Sequence, residues 1–172
     1  HLTTRRQRQM CIRDRSDIEL IDSHCHLIFE NFESDLNEVV SRWRSIGVKK
    51  LLHACCELSE IPKLKKLSHD FEEIYYSVGL HPLEANKWQP EYKSIMRNAA
   101  LEDKKVLAIG ELGLDFFKST DKKNQIDALI PQMDLAFELD LPVIIHCRDA
   151  ANEMIKICRE LTKQKRLSLI HI

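Results

Sequence analysis

Residues 106–115 read Val-Leu-Ala-Ile-Gly-Glu-Leu-Gly-Leu-Asp. A short β-prone run, Val106–Ile109, gives way to glycines and carboxylates, and from Lys123 to Leu139 apolar residues return with a helical period. The same unit recurs along the chain. Glu19–Asp22, Lys50–Ala54, Ile74–Val78 and Val143–Ile145 are further candidate strands, and Asp35–Ser45, Glu60–Ser68, Pro90–Ala100 and Ala150–Leu161 are further candidate helices. Ser34 and Ser59, each followed by acidic residues, are expected as N-caps, and Gly47 as the left-handed residue that ends the first helix. Pro142 opens the last strand, where its missing N–H costs no ladder bond. Strict β-α alternation implies a parallel sheet with right-handed crossovers, which either a doubly wound sheet or a (β/α)8 TIM-type barrel satisfies.

The two ends carry no such pattern. Arg5–Arg15 holds five Arg without apolar periodicity. Met10 to Arg15 back-translates as ATG TGT ATA AGA GAC AG, whose reverse complement reads Leu-Ser-Leu-Ile-His and then Ile or Met, the sequence of Leu167–Ile172. One inverted repeat at both ends has the form of the transposon ends used in sequencing libraries. Residues 1–15 and 167–172 are therefore expected to be translated adapter, with the domain proper at residues 16–166. That interior is 151 residues with 21 Lys and Arg against 26 Asp and Glu, a charge of −5 where the whole chain carries −1. Five units take about 30 residues each and eight would need about 240, so on the barrel reading the chain is truncated after about five β/α units.

Composition narrows the function classes. No window approaches the roughly 18 apolar residues of a membrane-spanning helix, so no membrane partner is expected. The near-neutral charge lacks the basic excess of an electrostatic nucleic-acid binder. Six irregularly spaced Cys without a secretory signal read as free thiols in a reducing cytoplasm, with Cys55 and Cys56 as buried ones. No obligate protein partner is evident.

Polar residues of ligand type stand at four strand ends: Asp22-Ser23-His24-Cys25-His26, Gly79-Leu80-His81-Pro82, Gly110-Glu111-Leu112-Gly113-Leu114-Asp115 and His146-Cys147-Arg148-Asp149. In parallel α/β folds the C-terminal strand ends meet in space, so these segments converge. Asp22, His24 and His26, two apart on extended backbone, face one way. Singly, each has an ordinary reading: Glu111 as an N-cap or ion pair, His146 as a core histidine, His81 as a turn residue, Arg148 as a surface ion-pair partner. Jointly, several His with a carboxylate suit a catalytic divalent metal (Zn, Mn, Co or Mg) better than a closed structural zinc. His53 is assigned to strand packing and His69 to a helix end.

These four motifs, in order from about Ile18 to Leu161, resemble the signatures of TatD-type metal-dependent deoxyribonucleases. The resemblance implies a (β/α)8 barrel of the amidohydrolase-like group and a pair of divalent metal ions hydrolysing phosphodiester bonds in DNA, with RNA as a second candidate substrate. By position it implies that His24 and His26 hold one metal, Glu111 bridges the pair, His146 holds the second, and His81 and Arg148 lie near the scissile phosphate. Such proteins continue with a further His and Asp ligand. His171 falls about where that His would, but belongs to the adapter-like segment and is left out of the site, and the Asp has no counterpart. The chain is accordingly expected to be an inactive N-terminal fragment of an active enzyme. Two other functions compete: hydrolysis of C–N bonds or of other esters, such as D-aminoacyl-tRNA, and metal binding without turnover. Glu111 stands where amidases of the group commonly carry a modified Lys, which weighs against that branch.

Overall fold

The structure, a computed structural model, describes residues 19–32 and 34–164. The adapter-like segments, His171 among them, lie outside the described residues, as do residues 16–18, 33, 165 and 166 of the interior. Five strands, β1 (Leu20–Cys25), β2 (Val48–His53), β3 (Ile74–Val78), β4 (Val106–Asp115) and β5 (Val143–Arg148), alternate with five helices. These are α1 (Leu36–Ser45), α2 (Ile61–Asp70), α3 (Glu91–Glu102), α4 (Lys122–Leu139) and α5 (Ala151–Gln164). Every neighbouring strand pair is parallel and the spatial order is β1-β2-β3-β4-β5. That order decides between the two architectures. A doubly wound sheet reverses direction at a switch point, whereas a barrel adds each strand beside the last. The fold is five units of a TIM-type barrel.

Ser34 and Ser59 do not cap helices. The N-cap of α1 is Asp35, whose carbonyl accepts from Glu38 and Val39 and whose carboxylate turns to Arg42. α2 emerges from a 3-10 turn, Leu58–Glu60, that takes up Ser59; its hydroxyl donates to Glu57 Oε2 at 2.8 Å. Pro62 lies in the first turn of α2, where an N–H has no partner anyway. Gly47 does take a positive φ of 92° after α1, with its N–H on the Arg44 carbonyl. Pro142 precedes β5 and contributes its carbonyl to Ile109 N–H.

Three strands run past the ends that apolar content suggests. β1 reaches Cys25, β4 reaches Asp115 and β5 reaches Arg148, because ladder pairing continues through the polar residues: Gly113 faces His146 and Asp115 faces Arg148. Apart from His26, which directly follows β1, the ligand-type side chains of β1, β4 and β5 are thus fixed to strand backbone rather than loops.

The main core fills the space between sheet and helices, with Leu64 of α2, Met96 of α3 and Leu129 and Met133 of α4 against Val78, Ile109 and Leu112. A smaller cluster joins Val40 and Trp43 of α1 to Leu51, Leu67 and Ile74. On the sheet's other face, Ala54, Ala108 and Ile144 pack together. Beside the smaller cluster, buried Glu73 accepts from Trp43 Nε1 (3.0 Å) and from Arg44 Nε (2.6 Å) and Nη2 (3.1 Å). The Arg44 hydrogen bond holds the Glu73 carboxyl down at about 2. A carboxyl with a lowered folded value contributes stability above its ordinary range, near 4.5, and loses it as pH falls toward 2. Glu73→Gln should lower unfolding free energy at pH 7 by about 1–2 kcal/mol, trimmed because the Arg44 side chain is half exposed. Denaturant melts at pH 7 and pH 3 test this: the gap between variant and parent should narrow at pH 3, and a gap that widens there refutes the assignment.

Candidate metal centre

The ligand-type residues of β1, β4 and β5 meet at the C-terminal end of the sheet, joined by His81 from the segment after β3. Two strands lie between β1 and β4, so in a flat sheet these would stand about 14 Å apart with side chains perpendicular to the sheet. Curling brings them together. His24 Nε2 and His26 Nε2 lie 3.1 Å apart and 3.3 and 3.5 Å from Glu111 Oε2. On the other side, His146 Nδ1 lies 2.9 Å from Glu111 Oε1, and His81 Nε2 lies 3.1 Å from His146 Nδ1 and 3.9 Å from Glu111 Oε1. Each Glu111 oxygen therefore faces a different histidine group.

The donor set fits divalent cations. Bonds of about 2.0–2.2 Å put neighbouring ligand atoms about 2.8–3.1 Å apart in an octahedron and about 3.3–3.6 Å apart in a tetrahedron. The His24, His26 and Glu111 triangle, and the His146 to Glu111 edge, fall in that range. The 3.9 Å from His81 to Glu111 falls outside it.

Protonation separates the histidines further. His81 caps a 3-10 turn, Pro82–Lys87, by accepting the Leu83 N–H on Nδ1 at 3.2 Å. With Nδ1 accepting, the ring's proton belongs on Nε2, and burial lowers the ring's basicity. An Nε2–H is a hydrogen-bond donor and not a metal ligand. His146 is the reverse case. Hydrogen bonding to Glu111 first, and then to Asp115, raises its affinity for protons. Its Nε2 lies 3.1 Å from Asp115 Oδ2, so a carboxylate takes the far N–H while Nδ1 is turned to the metal side. Burial pushes Glu111 toward neutrality, but hydrogen bonding to His146 and His26 outweighs it and keeps the carboxyl well below the ordinary range.

Other buried groups hold the backbone beside these ligands. His53 donates from Nδ1 to Ala54 O and accepts Leu27 N–H on Nε2 at 2.8 Å, fixing the residue after His26; burial lowers it to about 4. The Ser77 hydroxyl donates to Gly110 O at 2.6 Å, one residue before Glu111. His69, at the end of α2, contacts Asp103 and not the site.

Two expectations change in detail. The Asp22 carboxylate accepts the His24 backbone N–H (3.0 Å) instead of joining the ligand group. Cys56 is only half-buried, with Sγ 3.7 Å from His26 Nδ1. Arg148, two residues past His146 on β5, is exposed, with its guanidinium 4.1 Å above the Phe117 ring. Asp115, not singled out among the ligand candidates, proves to be the partner of His146. Its signal is the two-residue period Glu111, Gly113, Asp115, the same alternation that pairs His24 with His26.

The sequence matches the family described as TatD related DNase over residues 21–172. The chain belongs to this family. A metal-dependent hydrolase of Buchnera aphidicola, itself called uncharacterized, is 35% identical over 162 residues, covering 88% of this chain and 61% of that protein. A protein of Cronobacter sakazakii named 3'-5' ssDNA/RNA exonuclease TatD is 35% identical over 132 residues, covering 76% of this chain and 50% of that protein. The crystal structure of YjjV, a TatD homologue of Escherichia coli, superimposes with a TM-score of 0.76 at 30% identity, covering 82% of this chain and 55% of that one. The TatD chain thus spans about half to three-fifths of the length of these relatives. No helix among the described residues is long and apolar enough to cross a membrane.

Proposed function

We propose that this TatD chain carries the larger part of a two-cation site that hydrolyses phosphodiester bonds in single-stranded DNA or RNA. The observation that carries the reading is Glu111, whose two oxygens face separate histidine groups as a bridging carboxylate does. His24, His26 and Glu111 would hold one cation, and Glu111 with His146 the other. When bound, a cation pair supplies positive charge to the phosphate and lowers the pKa of water at the site. It also answers the net acidity of the chain, since the local charge a phosphodiester meets is that of the ions.

The chain's own groups do the rest. Asp115 keeps His146 in the tautomer whose Nδ1 is free for the metal. His81 presents an Nε2–H beside the same space, placed to donate to a phosphate oxygen or to the departing oxygen. Arg148, braced on Phe117, offers a planar fork for a flanking phosphate. Relatives named as single-stranded DNA and RNA exonucleases support the substrate class.

The test is cleavage of a 5′-labelled single-stranded oligonucleotide, with an acyl-ester substrate in parallel, before and after chelation. Chelator should abolish cleavage of the oligonucleotide, and Mn²⁺, Co²⁺ or Mg²⁺ should restore it. Because the chain spans only part of its relatives, the same assay belongs on a longer form containing this sequence. Cleavage that survives chelation, or ester turnover alone, would sink the proposal.

A further inference from the structure

We propose that α4 acts as a ruler for the metal centre, through Gln125 and Gln132 as positioning residues that set His146 and His81 relative to each other. This rests on the two-cation reading. The two glutamines are seven apart, two turns along one helix, and both are fully buried. Seven residues bring side chains back to nearly the same face. On an otherwise apolar face, two buried amides need a reason, because each must satisfy its hydrogen bonds there.

Their partners supply it. Gln132 Oε1 accepts the Leu80 N–H at 2.7 Å, while its Nε2 donates to Leu80 O at 3.3 Å and to Ala128 O at 3.0 Å. Gln125 Oε1 accepts the Asp115 N–H at 2.8 Å, and its Nε2 donates to Asp115 O at 2.9 Å. Each amide clamps both backbone groups of one residue. Leu80 immediately precedes His81, whose Nε2–H faces the site. Asp115 carries the carboxylate that orients His146. The glutamines hold residues where the ladders give out: Leu80 lies beyond the end of β3, and Asp115, paired with Arg148, is the last residue of β4. One helix thus spaces the donor histidine from the ligand histidine, whose rings lie 4.4 Å apart. Neither glutamine touches a cation or a substrate, so the two act only through the residues they hold.

The arrangement predicts different consequences for the two clamps. In Gln125→Leu, Asp115 shifts and His146 loses its orientation, so Co²⁺ affinity, read from the d–d absorption of the bound ion, should fall about 10–100-fold. In Gln132→Leu, the ligands stay in place, so Co²⁺ affinity should change less than about threefold. His81 is displaced, however, and kcat on a single-stranded oligonucleotide should fall at least about tenfold with KM little altered. Leu129→Ala, on the same helix between the two, is the control for simple loss of packing. It should lower the melting temperature without either selective effect. The ruler is overturned if both glutamine variants leave the site's properties unchanged, or if all three variants move affinity and kcat in parallel. Should the parent bind Co²⁺ and cleave nothing, the nuclease reading fails while the Gln125 arm still decides for or against the ruler. Should the parent bind no Co²⁺, the two-cation reading fails, and amide hydrogen exchange decides: the ruler requires Gln125→Leu to speed exchange at Asp115 alone and Gln132→Leu at Leu80 alone.

Discussion

Replacing Glu111 by Gln is expected to lower metal-dependent kcat/KM by at least about 10³-fold, equivalent to about 4 kcal/mol of transition-state stabilisation. The side chain keeps its shape but loses its charge and one of its two acceptors. Four histidines surround the carboxylate: His146 at 2.9 Å, His24 at 3.3 Å, His26 at 3.5 Å and His81 at 3.9 Å. An amide cannot bridge two cations, and its NH2 would point at one of the histidine groups. A binding measurement separates this from a fault in folding. A cation bound only by the folded protein raises its stability by about 2.7 kcal/mol at a hundred times its dissociation constant. Glu111→Gln should keep the fold and lose that metal-induced rise in melting temperature. A variant that retains both the rise and the turnover removes Glu111 from the site.

Gly113→Ala should be nearly as severe by another route. Gly113 pairs with His146 across β4 and β5, has a φ of +147°, and a methyl there would overlap the His146 carbonyl oxygen. An L side chain is strained at this φ, and the overlap must push β5 from β4. Both penalties act together, so a loss of about 3 kcal/mol or more in unfolding free energy is expected. Since β5 carries His146, Co²⁺ affinity should fall as well, by tenfold or more. Denaturant melts and Co²⁺ titration of the same preparation check both parts. Unchanged affinity in a destabilised variant would show that the strand pairing does not set the ligand's position.

Much of this was legible in the sequence because parallel strands buried on both faces leave a coarse signature. Ile74–Val78 was readable to the residue, and the helices to within about three residues at either end. The strand ends were not, because polar ligand residues read as loop while the backbone ladder runs on beneath them. Spacing brought Glu111 and His146 forward as candidates, and the structure places them 2.9 Å apart. It could not show that Asp115 stands behind His146, since that contact crosses two strands. Nor could it show why Gln125 and Gln132 are tolerated inside α4: a buried amide looks like a mistake until the backbone it grips is known. The false N-caps have a similar cause. Ser34 and Ser59 have the right chemistry for capping, but Ser34 lies in the turn before Asp35 and Ser59 within the 3-10 turn Leu58–Glu60, so each helix starts past them.

The curl that brings β1 over β4 has a consequence for how the molecule forms. His24 and Glu111 are 87 residues apart in sequence and meet at 3.3 Å. Such a contact closes a long loop, and long-range closures come late in the folding of parallel sheets. A partly assembled sheet of β2, β3 and β4 has Glu111 but not the first pair of histidines. The histidine group from β1 therefore becomes able to share a cation with Glu111 only once the curvature is complete, and metal uptake at that position would report the finishing of the sheet rather than its beginning.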